Sequence, residues 1–158
     1  MKEKICNKCG SEYQKQKNIS FVDCPGHQSF MGTMLNGACL MDVALLVISA
    51  SDECPQPQTI EHLKALTVMG VKKIIILQNK IDLVTKEGAH KSLKEIKKFI
   101  NGTIAENSPI IPISAQLGIN INIVLHYICQ INNIERNINE NPRMVIVRSF
   151  DINNPNID

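Results

Sequence analysis

The chain has 158 residues, 44% hydrophobic and 20% charged, with a formal net charge of only +2. That length fits one domain or a portion of something larger, and the composition is that of an ordinary globular fold. A balance so near neutrality gives no signal of bulk electrostatic binding, and no DNA partner is expected.

Met1 to Gly10 is charged and lacks the apolar core of a secretory signal. Cys6-x2-Cys9 supplies half of the four ligands usual for structural zinc, and no second pair lies nearby, so two thiols on a frayed N-terminus are expected. Ile19 to Val22 reads as a short strand ending at Asp23, followed by a helix from about Phe30 to Met41. Val43 to Ile48 is a continuous apolar run, as expected of a strand buried on both faces. No longer apolar run exists, and this one is far too short to span a membrane, so no membrane partner is expected.

Thr59 is placed to cap a helix in which Ile60, Leu63, Leu66 and Val68 recur near the 3.6 period until Gly70 stops it. Ile74 to Leu77 reads as the next buried strand, and Lys86 to Ile100 as a lysine-rich amphipathic helix. The Lys91 to Lys98 stretch is most simply a solvated face. Pro109 to Ile113 reads as another strand and Ile119 to Ile131 as a last helix. Strand alternating with helix predicts an α/β fold with a doubly wound, mostly parallel sheet. Asn132 to Asn141 is linker-like, and Met144 to Phe150 is a strand with no helix behind it, the first of a second, β-rich domain. Cys24, Cys39, Cys54 and Cys129 stand singly, which favours a reducing, cytoplasmic setting over a disulfide framework.

Ligands of doubly wound sheets sit beyond the carboxyl ends of the strands, and three polar motifs occur there. In Asp23-Cys-Pro-Gly-His27 an acidic strand tip can hold a hydrated Mg²⁺. Gly26 allows close backbone approach to a phosphate, and His27 can orient an attacking water. In Asn79-Lys80-Ile81-Asp82 the carboxylate can accept from both the ring N–H and the exocyclic amine of guanine, a pair of donors that adenine lacks. Asn79 would bind the base edge and brace neighbouring loops, while the Lys80 stem lies along the base. In Ser114-Ala115-Gln116 small residues let a backbone N–H reach the guanine O6. Each motif also occurs by chance in turns; their order and spacing after three strands point to a guanine-nucleotide domain.

These motifs, with Met34-Leu-Asn-Gly-Ala38, Cys54-Pro-Gln-Pro-Gln-Thr59 and Arg148-Ser-Phe-Asp151, resemble the initiation factor two gamma family of translational GTPases. Elongation factor Tu and its relatives share part of the pattern. The resemblance implies a three-part layout: residues 1–18 as the remnant of a cysteine knuckle, 19–136 as an incomplete GTPase domain of the P-loop type, and 137–158 as linker and start of a β-barrel. It implies GTP or GDP with Mg²⁺ as cofactors, held by Asp23, Gly26 and His27 at the phosphates and by Asn79, Lys80, Asp82, Ser114, Ala115 and Gln116 at the base. It further implies initiator methionyl-tRNA, alpha and beta subunits and the small ribosomal subunit as partners, with GTP hydrolysis at start-codon selection. An elongation-type aminoacyl-tRNA carrier is the alternative, and a non-hydrolysing binding module another. The family's Gly-x4-Gly-Lys-Ser/Thr loop has no match here: Gly32 to Gly37 has the glycine spacing but continues Ala38-Cys39. The chain on its own is therefore expected to be inactive as a GTPase.

Overall fold

The computed structural model describes residues 4–5, 9–13, 15–24 and 41–132, with single positions at 139 and 141. The expected helix at Phe30 to Met41, the strand at Met144 to Phe150, and the positions Gly26 and His27 lie outside the described residues, Met41 excepted.

Among the described residues three strands form the main sheet: β3 (Ala44–Ser49), β4 (Ile74–Asn79) and β5 (Ile110–Pro112), all parallel, in the order β3-β4-β5. Parallel neighbours need crossovers, and two helices supply them: α1 (Pro57–Val68) between β3 and β4, and α2 (Lys86–Ile100) between β4 and β5. A third helix, α3 (Ile121–Gln130), follows β5.

The strand alternation sorts the core into two layers. Ala44, Leu46, Ile48, Ile74 and Ile76 face one side, where they pack with Leu63 and Leu66 of α1 and with Ile96 and Ile100 of α2. Ile75, Leu77, Ile111 and Ile113 face the other, where Val124 of α3 covers them. Helices on both faces of a parallel sheet are the doubly wound α/β architecture expected from the sequence. β4 is buried along its apolar length because it has a strand on each side and a helix on each face.

The helix limits follow local chemistry. Lys86–Ile100 falls where expected, with Thr85 Oγ1 accepting from the Gly88 N–H at 3.2 Å as its N-cap and Lys97 and Lys98 in its last turn. α1 begins two residues before Thr59, at Pro57, whose fixed φ suits a first helical turn where its missing N–H costs nothing. Val68, expected on the buried stripe, is 84% exposed, since Leu63, Ala65 and Leu66 already fill the inward face. α3 starts at Ile121 because Ile119 is taken up in an antiparallel bridge with Ser114.

Two expectations near the N-terminus are corrected. Ile19 to Val22 is not a strand: among the described residues it has no ladder partner, and Ile19, Phe21 and Val22 stay largely exposed. A four-residue segment cannot hold an extended form without one. Conversely, the stretch expected to be frayed forms a small antiparallel ribbon, β1 (Lys4–Ile5) with β2 (Glu12–Tyr13), turned through Gly10 at φ 69°. The segment after it is tied to the domain by Lys17, whose ammonium donates to the Ile128 carbonyl in the last turn of α3 and to the Ile131 carbonyl just beyond it.

Candidate functional site

The carboxyl ends of β4 and β5 are neighbours because the strands are in parallel register, with Gln78 opposite Pro112. The second and third motifs therefore leave the sheet side by side. Asn79 is the last residue of β4, and its Oδ1 accepts from two backbone donors: the Lys80 N–H at 2.8 Å and the Ala115 N–H at 3.0 Å. A second link runs from the Ile81 N–H to the Ile113 carbonyl at 3.3 Å. The two loops are thus bolted together by one side chain and one backbone bond.

Lys80 sits in the left-handed region at φ 62°, ψ 33°. For a residue with a Cβ this costs about 1–2 kcal/mol, offset here by the bond that its own N–H makes to Asn79. The reversal lets the chain turn sharply off the sheet into a single 3₁₀ turn, Ile81–Leu83. Asp82 lies in that turn, exposed, so its carboxylate is open to a ligand.

The third motif is less open than its sequence suggests. Ser114 is fully buried, and its hydroxyl accepts from the Leu117 N–H at 3.2 Å, closing a tight turn through Gly118 at φ 68°. Its side chain is therefore structural, and the Ala115 N–H is donated to Asn79. Ala115 and Gln116 are exposed on the same turn. Asn120, which the motifs did not single out, braces the turn from behind: it is left-handed at φ 61°, and its Nδ2 donates to the Pro112 carbonyl at 2.8 Å. The Gly118-Ile-Asn120 spacing is turn chemistry that could have marked it.

Asp23 is exposed, and no hydrogen bond joins it to the two base-side loops among the described residues. One exposed carboxylate suits a cation that keeps most of its waters, as Mg²⁺ does. Among the described residues no group of three or more His, Cys, Asp or Glu gathers as a metal cage. The adjoining Cys24 thiol is pushed above its ordinary pKa by burial and then by the Asp23 charge.

A cavity of about 640 Å³ is lined by Leu93, Lys97, Ile100, Ser108 and Ile110 among others. It lies at the amino end of β5, away from the motif loops, and contains none of the expected site residues. The polar convergence lies instead in the loops that follow β4 and β5.

Residues 5–133 match the family described as the elongation factor Tu GTP binding domain. Translation initiation factor 2 subunit gamma of Methanothermobacter thermautotrophicus is 54% identical over 155 residues, covering 98% of this chain and 38% of that protein. Eukaryotic translation initiation factor 2 subunit gamma of Schizosaccharomyces pombe is 52% identical over 151 residues, 95% of this chain and 34% of its own length. Among solved structures, elongation factor SelB of Methanococcus maripaludis in complex with the GTP analogue GPPNHP is similar with a TM-score of 0.66 at 30% identity. That match covers 75% of this chain and 26% of SelB. The chain spans little more than a third of the length of the initiation-factor relatives.

Proposed function

We propose that this chain, which belongs to the elongation factor Tu GTP binding domain family of translational GTPases, is the guanine-reading portion of an initiation factor 2 gamma subunit. The observation that carries the reading is the Asn79–Ala115 bond, which locks two loops together beside an exposed Asp82. In this reading Asp82 accepts from the guanine ring N–H and amine, Asn79 and Lys80 frame the base, and the Gln116 N–H meets O6, the Ala115 N–H being held by Asn79. Adenine would leave the carboxylate facing an acceptor and a missing donor, which is how a polar site rejects a near-isostere.

At the phosphate side, Asp23 would hold Mg²⁺ through water, Gly26 would approach the terminal phosphate, and His27 would orient the attacking water. Mg²⁺ supplies charge neutralisation at the phosphates; the chain's own residues place the base and the water. As part of a complete factor the domain would carry initiator methionyl-tRNA to the small ribosomal subunit beside alpha and beta subunits, with hydrolysis at start-codon selection. Initiation is favoured over an elongation role because the initiation-factor relatives stand at 52–54% identity and SelB at 30%.

The test uses the full-length factor containing this segment, with filter binding of methionyl initiator tRNA and methionyl elongator tRNA. GTP-dependent preference for the initiator is expected; equal retention of both would overturn the initiation reading. The 158-residue chain alone, without a Gly-x4-Gly-Lys-Ser/Thr loop, is expected to bind GTP weakly and hydrolyse it at no useful rate. Mg²⁺-dependent binding at micromolar GTP or below would sink that second expectation.

A further inference from the structure

Gln78 is the one strongly polar residue before Asn79 in an otherwise apolar strand, and it is only 2% exposed. Burying an amide is costly unless its groups are bonded. Its Nε2 donates to the Ala89 carbonyl at 2.8 Å, in the first turns of α2 and eleven residues along the chain. The two adjoining residues of β4 thus work in opposite directions. Gln78 points to the α2 side and grips that helix, while Asn79 points to the other side and grips the Ala115 turn. Between the two grips runs the segment that carries Lys80 and Asp82.

We propose that Gln78 is a positioning residue for guanine recognition: by tying β4 to the start of α2, it fixes where the loop presents the Asp82 carboxylate. The proposal rests on the guanine reading above for its functional half. Its structural half stands on the bond alone. Without the Gln78 bond the far end of segment 80–88 is anchored through the packing of α2, and among the described residues Gln78–Ala89 is the hydrogen bond that joins β4 to that helix. With it, the loop closes as a clasp, and the left-handed Lys80 is held between two fixed points.

The experiment compares Gln78→Met with Ile96→Val in the purified chain by amide hydrogen exchange. Methionine keeps the volume and the burial but cannot donate. Ile96 is fully buried on the same helix and makes no contact of this kind, so its shortening loosens the core without releasing the clasp. In Gln78→Met the Lys80, Ile81 and Leu83 amides, all hydrogen-bonded, are expected to exchange roughly five-fold faster while the Ile74–Leu77 amides hold. Ile96→Val should speed the core and the loop alike. Unchanged loop exchange in Gln78→Met overturns the proposal, and Gln78→Leu repeats the test should the methionine variant not fold.

A second arm follows backbone shifts on titration with millimolar GDP, with ADP as the control nucleotide. Wild type is expected to favour GDP, and Gln78→Met to lose a severalfold part of that preference that Ile96→Val keeps. Equal responses of the wild type to GDP and ADP would bring down the guanine reading, while the exchange result would still decide the role of Gln78. A Gln78→Met chain with loosened loop and intact GDP preference would confine the residue to a structural role and refute the functional half.

Discussion

Asn79 Oδ1 lies 3.0 Å from the Ala115 backbone nitrogen, across 36 positions of sequence, and the same oxygen lies 2.8 Å from the nitrogen of Lys80. One acceptor thus satisfies a strained residue on its own loop and a turn on the next. Replacing Asn79 with Ala removes both partners at once. The loss is expected to lower stability by about 1–2 kcal/mol, since the orphaned N–H groups are near water and rehydrate in part. Urea unfolding checks it, and Asn79→Asp, which keeps an acceptor, should recover most of the difference.

Asp82 is exposed in its 3₁₀ turn and makes no bond that shapes the loop, so Asp82→Asn should leave the fold intact. An amide in its place offers a donor where the carboxylate only accepts. Preference in the full-length factor is expected to move from guanine toward xanthine by roughly a hundredfold. Competition between GTP and XTP for the protein measures it, and unchanged selectivity would refute the assignment of Asp82 to the base.

Thr85 holds α2 at its start through the Gly88 N–H. Thr85→Ala is expected to cost about 1 kcal/mol, visible as a lower melting temperature, and Thr85→Ser to cost much less. Because α2 hangs directly from the base-side loop, the alanine variant should also weaken nucleotide binding. A change in stability with affinity untouched would mean that the loop is held without help from the helix cap.

Cys54 is half-buried under α2, its own N–H donating to Glu95 Oε2 at 3.4 Å. Burial first, and the Glu95 charge second, push its thiol up to about 11 from an ordinary 9.0. An acid whose folded pKa is raised loses its proton more readily when unfolded. Its contribution to stability is therefore fully present below pH 9 and fades as pH rises toward about 11. Denaturation midpoints measured across that window should fall in the wild type more steeply than in Cys54→Ser. At neutral pH iodoacetamide should modify exposed Cys129 well before Cys54.

Much of this was legible in the sequence wherever the signal was local. α2 lies between the limits that its pattern predicts because Thr85 caps it and lysines fill its last turn. β3 and β4 are found within a residue or two because parallel strands read as unbroken apolar runs, but only β4 is buried on both faces: β3 has one strand neighbour among the described residues and leaves Val47 55% exposed. The second and third motif loops emerge where the ends of β4 and β5 put them. The failures come from pairing and from long-range contact. Ile19 to Val22 has strand composition but no ladder to join, whereas the β1–β2 ribbon has weak composition and a favourable turn. The Ser114 hydroxyl is used by its own turn, a role that the small size of the residue alone does not announce. Gln78 acts through the Ala89 carbonyl, which no spacing rule would connect to it.

The buried run of β4 has a further consequence for how the chain finds its alignment. Ile74, Ile75, Ile76 and Leu77 are apolar on both faces, so sliding the strand by one position would exchange one greasy side for another at little cost. Hydrophobicity alone does not decide the pairing. Gln78 and Asn79 do, since each bonds on its own side and a slip would turn both side chains the wrong way. Such a slip would also carry the base-side loop by about 3.3 Å, the length of one strand residue. The two amides therefore act as a key in a lock, and the pair that fastens the loops of the proposed nucleotide site also dictates the registry of the central strand.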